Sequence, residues 1–347
     1  MKKWLFIILL TGAFVGLSFT NRKVAFFRVP EGWPAPTYNF NNNKLTREGV
    51  LLGRALFYDP ILSADSTISC ASCHLQYTAF THVDHNLSHG IYGRIGTRNS
   101  PVLSNLAWSR LLMWDGAVNH LDVQPLAPIA NKDEMDFSLD SSLIRLRRSA
   151  LYPSLFRQAF GDTSITGERF LKSLSMFMLT IVSSNSRYDQ VMRHEKGVEF
   201  SQQEQNGLRL FRQHCESCHK EPLFTTGGFA NNGLPVDTLL RDHGRMRVTG
   251  KRSDSLHFKI PSLRNIEFSF PYMHDGRFDR LQQVIEHYTS GIRNSVVLSP
   301  ELREPIVLSA NEKVDMIAFL LTLTDKGFLY DTSFSYPRFL FMRQTKE

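Results

Sequence analysis

Several stretches of the chain repeat apolar residues at the spacing of a helix with one buried face. After Thr46, the residues Val50, Leu51, Leu52, Ala55 and Leu56 make one such face. Phe170, Leu171, Leu174, Met178 and Ile181 make another, which stops at the polar run Ser183-Ser184-Asn185-Ser186. Ser201 with Glu204 forms a capping box ahead of Leu208, Leu210 and Phe211. Ser309 with Glu312 repeats it ahead of Val314, Ile317, Ala318 and Leu321, and Thr324-Asp325 closes that helix. The Gly-, Asn- and Asp-rich stretches 83–100 and 225–250 carry no strong period and are expected to be loops. Residues 21–44, with Pro30, Pro34, Pro36 and Asn41-Asn42-Asn43, are expected to form an extended leader that wraps around the body. The pattern predicts a mostly α fold with long irregular loops.

The N-terminus adds a targeting signal. Met1-Lys2-Lys3 precedes an apolar run from Trp4 to Phe19, broken only by Thr11, Gly12, Gly16 and Ser18. The run is short for a spanning helix, which favours a cleaved export signal over residues 1–20. The basic flank Asn21-Arg22-Lys23 keeps an uncleaved anchor in the inner membrane as the alternative, and thus a membrane tether. Either way the body is expected in the periplasm. A length of 347 residues, 42% hydrophobic and 21% charged, suffices for two ordinary soluble cores. The net charge of +7 is mild, and Lys and Arg are spread along the chain. That argues against a nucleic-acid partner and leaves room for a basic face that receives an acidic electron-donor protein.

The candidate chemistry lies in the cysteines. All four fall within Cys70-Ala71-Ser72-Cys73-His74 and Cys215-Glu216-Ser217-Cys218-His219. This spacing is that of c-type haem attachment: two thiols add to the vinyl groups of one haem, and the adjoining imidazole binds its iron. Disulfides, zinc or a thioredoxin-like pair explain the pattern less well. Zinc would need a fourth ligand and gives no reason for His directly after the second Cys. Two covalently bound haems are therefore expected, with Cys70, Cys73 and His74 holding one and Cys215, Cys218 and His219 the other. A helix enters each motif, which suggests duplicated haem modules at 45–190 and 191–327, followed by a C-terminal tail at 328–347.

Other markers surround these motifs in order. They are Leu52-Gly53-Arg54 with Phe57, Thr97-Arg98-Asn99-Ser100-Pro101, Trp114-Asp115-Gly116, Gln124, Glu134-Met135, Pro261-Ser262-Leu263-Arg264-Asn265 and Pro271-Tyr272-Met273-His274-Asp275-Gly276. From about Leu45 to Thr324 the chain resembles the bacterial dihaem cytochrome c peroxidase family, including relatives of the methylamine-utilisation type that oxidise a protein. The resemblance implies two cytochrome c-like haem domains, the first peroxidatic and the second taking in electrons. A peroxide-reactive haem needs an openable sixth site and a group that moves a proton between the peroxide oxygens. By resemblance that group is Glu134, with Gln124 as its hydrogen-bonding partner and Trp114 as an electron relay between the haems. On the residues alone, Glu134 in Asn131-Lys132-Asp133-Glu134 reads as a solvated surface charge and Trp114 as a core aromatic.

The remaining ligands follow from the same comparison. His82, His85 and His89 occupy the loop after His74, and His89-Gly90 matches the step that caps the resting first haem in the peroxidases; a surface histidine is the plainer reading. Counting from His274, which is read as a neighbour of the second haem, Tyr288 stands where ordinary peroxidases place an axial methionine, as in the methylamine-utilisation relatives. A phenolate is a hard donor that stabilises oxidised iron and lowers its potential. The alternative is a packed Tyr288 with Met273, Met246 or His287 as ligand. The resemblance also implies calcium between the domains, held by the Asn99 side chain and the carbonyls of Ser269 and Pro271 with several waters.

The resulting expectation is an exported dihaem peroxidase that reduces hydrogen peroxide to water with electrons from a small redox protein, a cytochrome c or a cupredoxin. A homodimer belongs to the same reading. Tyr288 sustains a second reading, a peroxide-dependent oxidase of a protein or other bulky substrate. A third is a non-catalytic electron carrier with both irons fully ligated.

Overall fold

The computed structural model describes residues 27–342. The expected export signal or anchor at 1–20 lies outside them. Among the described residues no helix is long and apolar enough to cross a membrane. Helices dominate, and the described sheet is a single antiparallel pair, Phe229–Ala230 with Phe258–Lys259.

Two helix crossings organise the chain. The Arg47–Tyr58 helix begins at Thr46, whose hydroxyl accepts from the Gly49 N–H at 3.0 Å. It buries Leu52, Ala55, Leu56 and Phe57 against the Gly167–Thr180 helix. The backbones meet at Gly53, where a β-carbon would run into the Ser173 carbonyl. In the second half the Gln202–His214 helix, capped by Ser201 and Glu204, crosses the Ala310–Leu321 helix. Here Gly207 provides the close approach, against the Asp315 carbonyl. Each crossing carries its own apolar core. Leu52, Phe57, Phe156 and Phe177 belong to the first, and Leu208, Phe211, Phe224 and Phe319 to the second.

The backbone exposes a repetition that the residues only hint at. Met113 and Gly116 have φ of 68° and 74°, and Leu112 bridges to Val118; Met273 and Gly276 have φ of 78° and 66°, and Tyr272 bridges to Phe278. Asn105 and Asn265, at φ of 61° and 60°, donate their N–H groups to Ile181 and Leu323 respectively. Non-glycine residues seldom adopt this left-handed conformation, so its recurrence in matching turns marks a duplicated unit.

Both ends of the described chain pack on the first core. Tyr188 already packs in the second core. In the C-terminal tail, Phe328 and Leu329 are buried in the first core, and Phe334, Leu340 and Phe341 pack against it. The physical reason is twofold. Phe328 and Phe334 cover Phe80, while the Arg54 guanidinium donates to the carbonyls of Thr332 and Ser335. Phe27, Tyr38 and Phe40 of the leader pack on the same core. The modules are joined by Arg98, which donates to Asp115 at 2.7 Å and to both carboxylate oxygens of Asp242 at 2.6 and 2.9 Å.

Candidate functional site

Cys70–Cys73 form one helical turn, and His74 follows as its cap. The His74 Nδ1 faces the Phe80 carbonyl at 2.8 Å; a carbonyl can only accept, so Nδ1 carries the proton and Nε2 is left for a metal. Burial pushes the His74 pKa down to about 4, which keeps the ring neutral. His219 is set the same way, its Nδ1 lying 3.2 Å from the Phe224 carbonyl and 3.1 Å from that of Pro261, and burial again lowers its pKa. All four thiols are free rather than paired as disulfides. Burial pushes Cys70 up to about 12, Cys73 to about 11 and Cys215 to about 12. Among the described residues no three His, Cys, Asp or Glu side chains converge to hold a metal ion.

A cavity of about 340 Å3 lies beside the second motif. Cys215, Cys218, His219, Met273 and Tyr288 line it from the second module, and Asn99, Trp114 and Gln124 from the first. Free thiols, a neutral imidazole with the right nitrogen available and a largely apolar wall fit a haem.

Tyr288 is delivered by a π-turn, His287–Gly291, whose wider coil recurs at functional positions. Burial raises the pKa of its phenol to about 12; Asn232 opposes the shift, and Cys215 and Cys218 add to it. The Asn232 amide stands 3.5 Å from both the Tyr288 hydroxyl and the Met273 sulfur, and His287 Nε2 donates to the Asn232 carbonyl at 2.9 Å. His287 is thereby engaged elsewhere, and Met246 is absent from the cavity wall, whereas Tyr288 and Met273 share it.

Glu134 is half-buried and accepts from the Asn131 amide at 2.7 Å. Burial raises its pKa and Asp133 adds to this, against the opposing effect of Asn131. It lies near enough to Cys70 and Cys73 to raise both thiols. A β-carbon on Gly90 would collide with the backbone of Asp133 and Glu134, so the His89-Gly90 step rests directly on this segment. The His89 carbonyl accepts from the Cys73 thiol at 3.3 Å, and its ring lies 3.9 Å from that of His85, which in turn stacks on His82.

Gln124 and Glu134 make separate contacts. The Gln124 amide points at the Met113 sulfur, at 3.8 Å. Trp114 is held from both modules, its indole N–H donating to the Asn99 carbonyl at 2.8 Å and its own carbonyl accepting from the Lys259 N–H at 2.7 Å. His274 stacks on Phe258 at 3.6 Å, and burial pushes its pKa down to about 4. Asn99, Ser269 and Pro271 are all among the residues lining the cavity. Asn99 spends its amide nitrogen on the Asn86 carbonyl at 3.0 Å, which leaves its amide oxygen for a hydrated cation. Asn232, Lys259 and Asp242, the partner of Arg98, had no motif to announce them in the sequence.

A helix-rich fold with two thiol pairs, each followed by a neutral imidazole whose Nε2 is free, and an apolar cavity fits a haem-carrying oxidoreductase. Comparison with known proteins narrows the class. The family model described as "Di-haem cytochrome c peroxidase" matches residues 47–197. The chain is 34% identical to "Methylamine utilization protein MauG" of Methylorubrum extorquens over 308 residues, 86% of this chain and 83% of that protein. It is 32% identical to "Cytochrome c551 peroxidase" of Nitrosomonas europaea over 277 residues, 79% of each chain. The fold is similar to that of "a MauG-like protein associated with microbial copper homeostasis", with a TM-score of 0.82 and 32% identity, covering 89% of this chain and 98% of that one. The chain belongs to the dihaem cytochrome c peroxidase family, and haem is its cofactor.

Proposed function

We propose that the chain is a periplasmic enzyme that reduces hydrogen peroxide at the haem of Cys70, Cys73 and His74. Its electrons come from a small redox protein, a cytochrome c or a cupredoxin, by way of the haem of Cys215, Cys218 and His219. The supporting observation is Glu134, a half-buried carboxyl with a raised pKa beside the first thiol pair. Peroxide reduction takes up two electrons and two protons and yields two waters.

The haems, joined through thioethers, supply the iron and the redox equivalents. The residues supply the rest. His74 and His219 hold their Nδ1 protons on carbonyls and would present Nε2 to iron. Glu134, whose pKa burial raises, takes a proton from one peroxide oxygen as the carboxylate and delivers it to the other. Gln124 orients the reactants from the neighbouring wall. Trp114, pinned by Asn99 and Lys259, relays electrons between the modules. His89, in the loop beside Cys73, would serve as a removable ligand to the iron of the first haem. Hydrated calcium on Asn99, Ser269 and Pro271 belongs to the same reading.

Tyr288 favours a second reading, in which the electrons are drawn from a protein or other bulky substrate. Its phenol lines the cavity beside Cys215 and Cys218, and as a ligand it would hold the second haem at low potential. Replacing Glu134 by Gln should leave both haem spectra intact and lower peroxide turnover by about 10²–10⁴-fold. Retained turnover would sink the assignment. Steady-state assays with small donors, set against modification of a protein substrate, separate the two readings.

A further inference from the structure

Lys259 sits where a lysine has little reason to be. The Phe258–Lys259 strand pairs with Phe229–Ala230, and the Lys259 N–H donates to the Trp114 carbonyl at 2.7 Å, so its backbone is fixed at the junction of the modules. The side chain lines the haem cavity, and its ammonium finds only the Ser109 hydroxyl, at a long 3.4 Å. No acidic side chain among the described residues pairs with it. Among the residues lining the cavity, Lys259 is the sole Lys or Arg, and the sole Asp or Glu is Glu301, which is exposed. Burial brings its pKa down to about 8, so it remains largely charged at neutral pH.

A half-buried cation set in a largely apolar wall is retained where an anion meets it. The cavity wall offers none within reach, yet the cofactor that this cavity fits carries two propionates. The thiols Cys215 and Cys218 hold the vinyl side of that cofactor, leaving its carboxylates to reach other parts of the wall. We propose that Lys259 is the counter-ion of a propionate of the second haem and thereby raises that haem's reduction potential. Reduction adds negative charge to the haem, and a nearby ammonium favours the reduced state. Lys259 thus opposes the potential-lowering donor assigned to Tyr288. The proposal rests on haem attachment at Cys215 and Cys218.

Spectroelectrochemical titration of the holoenzyme tests it, with both haems followed in wild type, Lys259→Met and Lys259→Arg. Lys259→Met should shift the second haem's reduction equilibrium about tenfold toward the oxidised state, about 59 mV for one electron. The first haem should shift less, and Lys259→Arg should restore most of the change. Unaltered potentials in a fully loaded Lys259→Met protein, or an arginine variant that behaves like the methionine one, would overturn the proposal. If Lys259→Met fails to load haem, resonance Raman bands of the wild-type propionates decide: ion-paired frequencies support the pairing, and those of freely solvated carboxylates overturn it. Mass spectrometry that finds no haem on Cys215 and Cys218 would overturn the underlying reading as well, a result distinct from normal loading with unchanged potentials.

Discussion

Arg264→Met should destabilise the second module strongly, and by an amount that depends on pH. Arg264 is 0% exposed and donates to the two carboxylate oxygens of Asp189 at 2.8 Å each. It also donates twice to the Pro222 carbonyl, at 2.9 and 2.6 Å, and lies over the Trp33 ring at 4.5 Å. Methionine fills much of the space, so the packing loss is small. The charge left behind is the larger cost. Asp189 would keep only the Ser186 donors, at 2.8 and 2.7 Å, and breaking a buried pair from one side costs about 3–5 kcal/mol. The Pro222 carbonyl adds to this if no donor replaces the guanidinium.

The pH dependence has a definite sign. Burial tends to raise the Asp189 pKa, but the Arg264 and Ser186 hydrogen bonds and the Arg264 charge outweigh it and hold the group below its ordinary value. Its stabilisation is therefore present above the unfolded pKa of about 3.9 and is lost as pH falls through the lower folded value. In the variant, burial prevails, the folded pKa rises, and acid neutralises the orphaned carboxylate. The wild-type-minus-variant difference should be largest near pH 7 and shrink as pH falls toward about 4.5. Urea unfolding of the oxidised holoenzyme at both pH values measures it, with unchanged m-values as the check on a common transition. A difference below about 1 kcal/mol at neutral pH, or one that does not vary with pH, would refute the reasoning.

Two further outcomes follow from the geometry. Gly207→Ala should cost at least about 1–3 kcal/mol, read as a lower thermal midpoint, because its methyl would meet the Asp315 carbonyl and Phe319 at the helix crossing. Tyr288→Phe should raise the potential of the second haem in spectroelectrochemistry; an unchanged potential would show that Tyr288 only packs.

What could be read in advance divides along local and distant interactions. The Ser201–Glu204 and Ser309–Glu312 capping boxes form as their spacing implies, because a cap needs only residues within one turn. The two haem motifs are equally local. The return of Phe328 and Phe334 onto Phe80 was not legible, since it joins the last part of the chain to the first module and leaves no period. Asn232 lies in an aperiodic loop, and its contacts with Met273, His287 and Tyr288 come from remote segments. The π-turn carrying Tyr288 and the left-handed Met113 and Met273 are backbone states that the local residue types do not announce. The repetition became visible there because the same left-handed turn recurs at Asn105 and Asn265, at Met113 and Met273 and at Gly116 and Gly276, matches scattered too thinly to form a sequence period.

The central claim is that the two haem sites are unequal, with the first reacting with peroxide. Low-temperature electron paramagnetic resonance of the half-reduced protein, before and after one equivalent of hydrogen peroxide, tests it most directly. The account predicts that peroxide is consumed, that the first haem's signal changes and that the second haem gives up its electron. Two low-spin signals at full oxidation, with no response to peroxide in the half-reduced protein, would contradict it and define an electron carrier.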